Sequence, residues 1–216
     1  RAEPFAADLC IAPEAGVNSG TVDMSQATAA VLFDVNEKEV IFSKNAHQQL
    51  YPASLTKVMT ALVALKYGSL DTVLTATNAV NITESGAQLC GLKSGDTMTL
   101  DQALRILLIY SANDVAMLIA ENIGGSVDGF IEMMNEEALR LGATNTNFVN
   151  PHGLTDEAHY TTAYDLYLMF NEAVKYETFN EIIQMTGYQT TYYDKDGKAK
   201  ENRINTNKKS AAELEL

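Results

Sequence analysis

Apolar positions along the chain change their period several times, and each change marks an element. The run from Ala29 to Phe33 predicts a strand, and Val40, Ile41 and Phe42 predict its hairpin partner across a turn at Asn36-Glu37-Lys38. The run Val58-Met59-Thr60-Ala61-Leu62-Val63-Ala64-Leu65 predicts a helix entered through Pro52, reaching Tyr67 and stopped by Gly68. Residues 71–98 are rich in Thr, Asn and Gly and predict short strands and loops. Ala103, Leu104, Leu107 and Leu108 share one side of a second helix that opens at Thr99-Leu100-Asp101 and reaches about Tyr110. Ser111-Ala112-Asn113-Asp114 interrupts it before a third helix over 115–123, closed by Gly124-Gly125. Ser126 caps a fourth helix that Gly142 stops. After a long loop over 143–161, Thr162-Ala163-Tyr164-Asp165 has capping-box character and starts a fifth helix. A shorter helix over 177–185 and a hairpin of 188–193 with 201–205, turning at Asp196-Gly197, complete the pattern. The order predicts an α+β (mixed α/β) fold: a sheet built from both chain ends, packed with a helical block.

Composition narrows the classes. The chain has 216 residues, 46% of them hydrophobic and 20% charged, enough to bury a core in one large domain or two small ones. A formal net charge of −13 repels phosphate backbones and argues against a nucleic-acid partner. No run of about 18 apolar residues is present. The first residues, Arg1-Ala2-Glu3-Pro4-Phe5, contain no signal-peptide hydrophobic region, which fits either a cytosolic protein or one whose targeting segment lies outside this numbering. Cys10 and Cys90 have neither metal spacing nor a C-x-x-C pattern; a disulfide between them and two free thiols both remain open.

Candidate chemistry begins at Pro52-Ala53-Ser54-Leu55-Thr56-Lys57. Residues i and i+3 of a helix share a face, so Ser54 and Lys57 can meet in one pocket as nucleophile and base. The plain alternative is a helix start with a solvated lysine. Ser111-Ala112-Asn113 joins two apolar helices, where Ser111 can relay a proton and Asn113 can donate to a carbonyl; the plain alternative is a helix cap at Asn113 or Asp114. Asn150-Pro151-His152-Gly153-Leu154 reads as a structural turn.

S-x-x-K followed by S-x-N is the order of two of the three motifs of the penicillin-recognising serine enzymes. The surrounding text agrees: Gly91-Leu92-Lys93-Ser94-Gly95-Asp96, Ser111-Ala112-Asn113-Asp114, and Phe148-Val149-Asn150-Pro151-His152-Gly153-Leu154. Over roughly residues 27–208 the chain resembles the low-molecular-mass D-alanyl-D-alanine carboxypeptidases. The resemblance implies a DD-peptidase/β-lactamase-like fold, an antiparallel sheet with an all-helical block. It implies catalytic roles for Ser54, Lys57 and Ser111, a substrate-binding role for Asn113, and no metal or cofactor. The implied partners are a peptidoglycan stem peptide ending in D-Ala-D-Ala and β-lactam antibiotics. An extracytoplasmic location follows in the same way.

The third motif of that family, K-T-G, is missing. Lys209-Ser210-Ala211 arrives too soon and lacks the glycine. The reading is therefore an N-terminal arm (1–26), a catalytic domain lacking its last strands (27–208), and a truncation or appended tail (209–216). From it follow two expectations: weak or no activity in this chain alone, and self-association through the incomplete sheet edge. Three rivals differ in class. A class A β-lactamase needs a deacylating glutamate, for which the loop 142–159 offers only Glu157. A zinc peptidase would draw on His152, Asp156 and His159, whose spacing matches no strong zinc motif. A degenerate peptidoglycan-binding module would not need a nucleophile beside a base.

Overall fold

The computed structural model describes residues 8–18, 20 and 22–206. Strands β1 (Val17–Asn18), β2 (Ala30–Asp34) and β3 (Glu39–Lys44) form an antiparallel sheet in the order β1-β3-β2. A 3-10 turn at Ala53–Leu55 leads into α1 (Thr56–Tyr67). Strands β4 (Val73–Thr75) and β5 (Thr97–Thr99) flank a long loop, followed by α2 (Leu100–Tyr110), α3 (Asn113–Ile123) and α4 (Val127–Arg140). Helices α5 (Ala163–Ala173) and α6 (Glu177–Ile183) precede the hairpin of β6 (Gly187–Tyr193) and β7 (Ala199–Asn205). The second antiparallel sheet runs β4-β5-β6-β7.

Antiparallel sheets and a helical block match the expected α+β class, but the two chain ends do not share one sheet. The returning hairpin joins β5, where Thr97 pairs with Tyr193. Side chains fix that choice. Gln102 Nε2 donates to Thr190 Oγ1 at 2.7 Å and to the Thr191 carbonyl at 2.8 Å, and Lys200 bonds the buried Asp96 at 2.6 Å. Alternation along a strand says which face is buried, not which edge it will find.

Helix α1 lies at the centre. Met59, Ala61, Leu62, Val63 and Ala64 are fully buried, as expected of a helix apolar on most sides. Leu104 and Leu107 of α2, Leu118 and Ile119 of α3, and Phe130 and Met134 of α4 pack in the same core. Gly68 ends α1 as expected, but with φ −102°, not in the left-handed conformation. Its role is space: an added Cβ would sit 2.6 Å from Leu100 Cδ2 and 2.8 Å from the Ala64 carbonyl. Ser126 caps α4 as expected. Thr162 caps α5 through the Asp165 N–H, but Asp165 does not complete a box; its carboxylate turns to Asn145 N and Thr146 Oγ1. The complete capping box is Thr99 with Gln102 at the start of α2.

The segment read as an extended arm is partly woven in. β1 pairs with β3, Cys10 and Ala12 are buried, and the Tyr164 hydroxyl donates to the Cys10 carbonyl at 2.8 Å. Both cysteines are free thiols, so no Cys10–Cys90 disulfide forms. Burial pushes Cys90 up to about 12. Among the described residues no helix is long and apolar enough to cross a membrane. The residues read as a terminal tail, 209–216, lie outside the described part.

Candidate active site

The start of α1 is built under tension. Ala53 has φ +48°, a left-handed conformation that costs a residue with a Cβ about 1 kcal/mol. That kink leads into the 3-10 turn holding Ser54, and Lys57 follows on the first turn of α1. The expected i, i+3 meeting occurs: Lys57 Nζ is 3.4 Å from Ser54 Oγ. Lys57 is only 2% exposed, which excludes the solvated-lysine alternative.

Asn113 and Asp114 belong to α3 and do not interrupt it; the cap position falls to Ala112, without a side-chain bond. Asn113 Oδ1 accepts from Lys57 Nζ at 2.7 Å, and its N–H donates to the Gln88 carbonyl at 2.8 Å. The Asp114 carboxylate is buried and accepts the N–H groups of Cys90, Gly91, Leu92 and Val115, which ties the 90–92 loop to α3. Ser111 closes α2 with φ +59°, and its buried Oγ has no partner among the described residues. Ser54, Lys57 and Ser111 line one cleft of about 580 Å³, walled by Leu107, Phe170 and Phe179.

The turn at 150–154 does more than reverse the chain. Asn150 Oδ1 accepts the N–H groups of His152 and Gly153, and Asn150 Nδ2 donates to the Leu154 carbonyl. The turn so held presents the His152 carbonyl to Lys57 Nζ at 2.7 Å and the Pro151 carbonyl to Thr60 Oγ1 at 2.6 Å. Gly153, at φ +93°, backs onto the kink: a Cβ there would lie 1.8 Å from the Ala53 carbonyl. A backbone carbonyl leaves no side-chain trace, so this contact has no signature in the sequence.

Among the described residues Lys57 thus faces three neutral oxygens and no anion. Burial lowers its pKa from 10.5 to about 8. A neutral amine carries two N–H bonds and one lone pair. With Asn113 Oδ1 and the His152 carbonyl taking the two hydrogens, the lone pair is left for the Ser54 hydroxyl.

The residues considered for zinc do not converge. His152 Nδ1 accepts from Leu154 N–H, His159 uses both ring nitrogens for protein bonds, and Asp156 faces the Ala158 and His159 amides. Among the described residues no group of three His, Cys, Asp or Glu side chains could hold a metal. Glu157 is exposed and lies in a separate depression with Tyr51 and Tyr160, not in the Ser54 cleft.

Comparison with known proteins gives a consistent result. The S11 peptidase family, described as D-alanyl-D-alanine carboxypeptidase, matches residues 17–214. D-alanyl-D-alanine carboxypeptidase DacF of Bacillus subtilis is 38% identical over 189 residues, covering 85% of this chain and 47% of its own. DacC of Escherichia coli is 35% identical over 172 residues, covering 76% and 42%. Among solved structures, the Streptomyces K15 DD-transpeptidase superposes with a TM-score of 0.78 at 27% identity, over 83% of this chain and 73% of that one. The chain spans about half the length of the curated relatives it matches. On the family match and these identities, the chain belongs to the S11 peptidases, the D-alanyl-D-alanine carboxypeptidase family.

Proposed function

We propose that this chain carries the acyl-transfer centre of a serine-type D-Ala-D-Ala carboxypeptidase. One observation carries the reading: Lys57 Nζ, buried and without a counter-anion among the described residues, is shared by Ser54 Oγ, Asn113 Oδ1 and the His152 carbonyl. With a pKa of about 8, roughly a tenth of the amine is neutral at pH 7, some 300 times the fraction of an ordinary lysine. Lys57 takes the Ser54 proton, and Ser54 Oγ attacks the carbonyl of the penultimate D-alanine in a stem peptide. The C–N bond breaks, and Ser111 passes a proton to the leaving D-alanine amine. Water then hydrolyses the ester. Asn113 holds the substrate amide while keeping Lys57 in place. Ser111 suits its role because its buried hydroxyl has no partner among the described residues and lines the cleft a substrate would enter. The proposed setting is extracytoplasmic, where the stem peptide is found.

Labelling with a fluorescent penicillin, mapped by peptide mass spectrometry, tests the reading. Ser54 is expected to carry the adduct, and Ser54→Ala to abolish it. Fast labelling would also overturn the expectation of weak or no activity in this chain alone. No adduct after hours at saturating penicillin would overturn the reading that this chain by itself carries a working acyl-transfer centre.

A further inference from the structure

Among the described residues the site holds a buried imidazole that the proposed chemistry does not use. His159 is 1% exposed and lies between the start of α1 and the 149–153 loop. Its Nδ1 receives the Val149 N–H at 3.1 Å, and its Nε2 lies 2.8 Å from Thr56 Oγ1. A backbone N–H can only donate, so Nδ1 must be the bare nitrogen and Nε2 must carry the proton. Nε2–H therefore donates to Thr56, the fully buried residue next to Lys57. The ring edge packs on Phe148 at 5.6 Å between centroids, and burial, opposed by the charge of Asp156, keeps the imidazole neutral.

We propose that His159 is a positioning residue for Lys57, a neutral strut that fixes the distance between Thr56 on α1 and Val149 on the loop that presents the His152 carbonyl. The proposal rests on the acyl-transfer reading of Ser54 and Lys57. One strut end sets the first turn of α1, and the other sets the loop whose carbonyls bond Lys57 and Thr60. The lone pair of Lys57 points at Ser54 only while the His152 carbonyl holds one of the two amine hydrogens. The titratable groups bearing on this end of α1 are Lys57 itself, His152, Glu84 acting on His152, and Asp156 acting on His159. None of them can replace a contact made through both nitrogens of one ring.

Two side chains divide the strut. His159→Asn keeps an acceptor near Nδ1 and loses the bond to Thr56. Thr56→Val keeps the shape of Thr56 and removes its hydroxyl. Two measurements are made on the whole chain: the titration of the Lys57 ammonium by nitrogen-15 NMR, and the rate of Ser54 acylation by penicillin as a function of concentration. Both variants are expected to move the Lys57 midpoint up from about 8 by about one unit, as water reaches the amine. The maximal acylation rate at pH 7 is expected to fall about tenfold, with the half-saturating concentration unchanged. A residue that merely stabilised the fold would lower the melting temperature and leave the Lys57 midpoint alone. An unmoved midpoint in a folded variant overturns the proposal. If His159→Asn does not fold, Thr56→Val decides. If Ser54 of the unmodified chain takes no penicillin, the functional reading fails, while the Lys57 titration still tests the strut.

Discussion

Two lysines of α1 make opposite use of the same helix. Lys57 and Lys66 are about two and a half turns apart and so emerge on opposite faces. Lys66 Nζ meets the carboxylate of Glu137 at 2.7 Å, and that bond raises its pKa. Among the described residues Lys57 meets only neutral oxygens, and burial lowers its pKa to about 8. Both side chains are held in place, but only one is left able to give up its proton near neutrality. The difference lies in the partner supplied from elsewhere in the fold: α4 brings Glu137 to Lys66, while α3 and the 150–154 turn bring an amide and a carbonyl to Lys57.

The contrast can be broken outright by Asn113→Asp, which places a carboxylate where Lys57 now meets an amide. The Lys57 pKa should return to 10 or above, and acylation at pH 7 should fall about 100-fold, read as penicillin labelling across a pH series. Glu137→Gln breaks the other end. Glu137 is buried and also bonds Arg140, so its loss should cost about 2 kcal/mol in urea unfolding while Lys57 keeps its titration midpoint. Acid should separate the two ends without any mutation. Burial, and then the charge of Lys57, lowers His152 to about 4, and burial lowers His159. A depressed histidine contributes stability that is complete above its unfolded value of about 6.5 and is lost as pH falls towards the folded value. Glu137 is pushed up by burial, but bonds from Arg140 and Lys66 outweigh this and hold it below the usual carboxylate range. Its contribution persists until the pH falls below about 4.5. Hydrogen exchange at pH 5 should therefore quicken at the Ser54 end of α1 before the Lys66 end. The smallest effect is expected from Lys66→Met, about 0.5–1 kcal/mol, because that ammonium is partly exposed and Arg140 still serves Glu137.

The parts of this arrangement that follow local periodicity were legible in the sequence. Ser54 and Lys57 sit at helical spacing, which puts both on one face, while the meeting at 3.4 Å is completed by Asn113 and the His152 carbonyl holding the amine. The ends of α1 and α4 were legible from Gly68 and Ser126, although Gly68 turned out to serve close packing. Partners that arrive from distant chain were not legible. Nothing in the letters of Asn150 to Leu154 says that a carbonyl will meet a lysine of α1, and Asp114 resembles a cap while serving as an acceptor for the 90–92 loop. The hairpin of β6 and β7 is legible as a hairpin, but the sheet it joins is not, because its partner is chosen by Gln102 and Asp96.

The contacts around Lys57 have a further consequence for the newly made chain. The bond to Asn113 spans 56 residues, that to the His152 carbonyl 95, and the Thr56–His159 contact 103. Each closes a long loop, whose entropy must be paid before the contact can form. Until they form, Lys57 is an ordinary solvated amine and Ser54 an ordinary hydroxyl. On the proposed function, Ser54 would therefore be activated as a nucleophile only by completed folding, and not in a half-folded chain. Penicillin acylation during refolding would then report the arrival of the native topology itself, later than any signal from the helices.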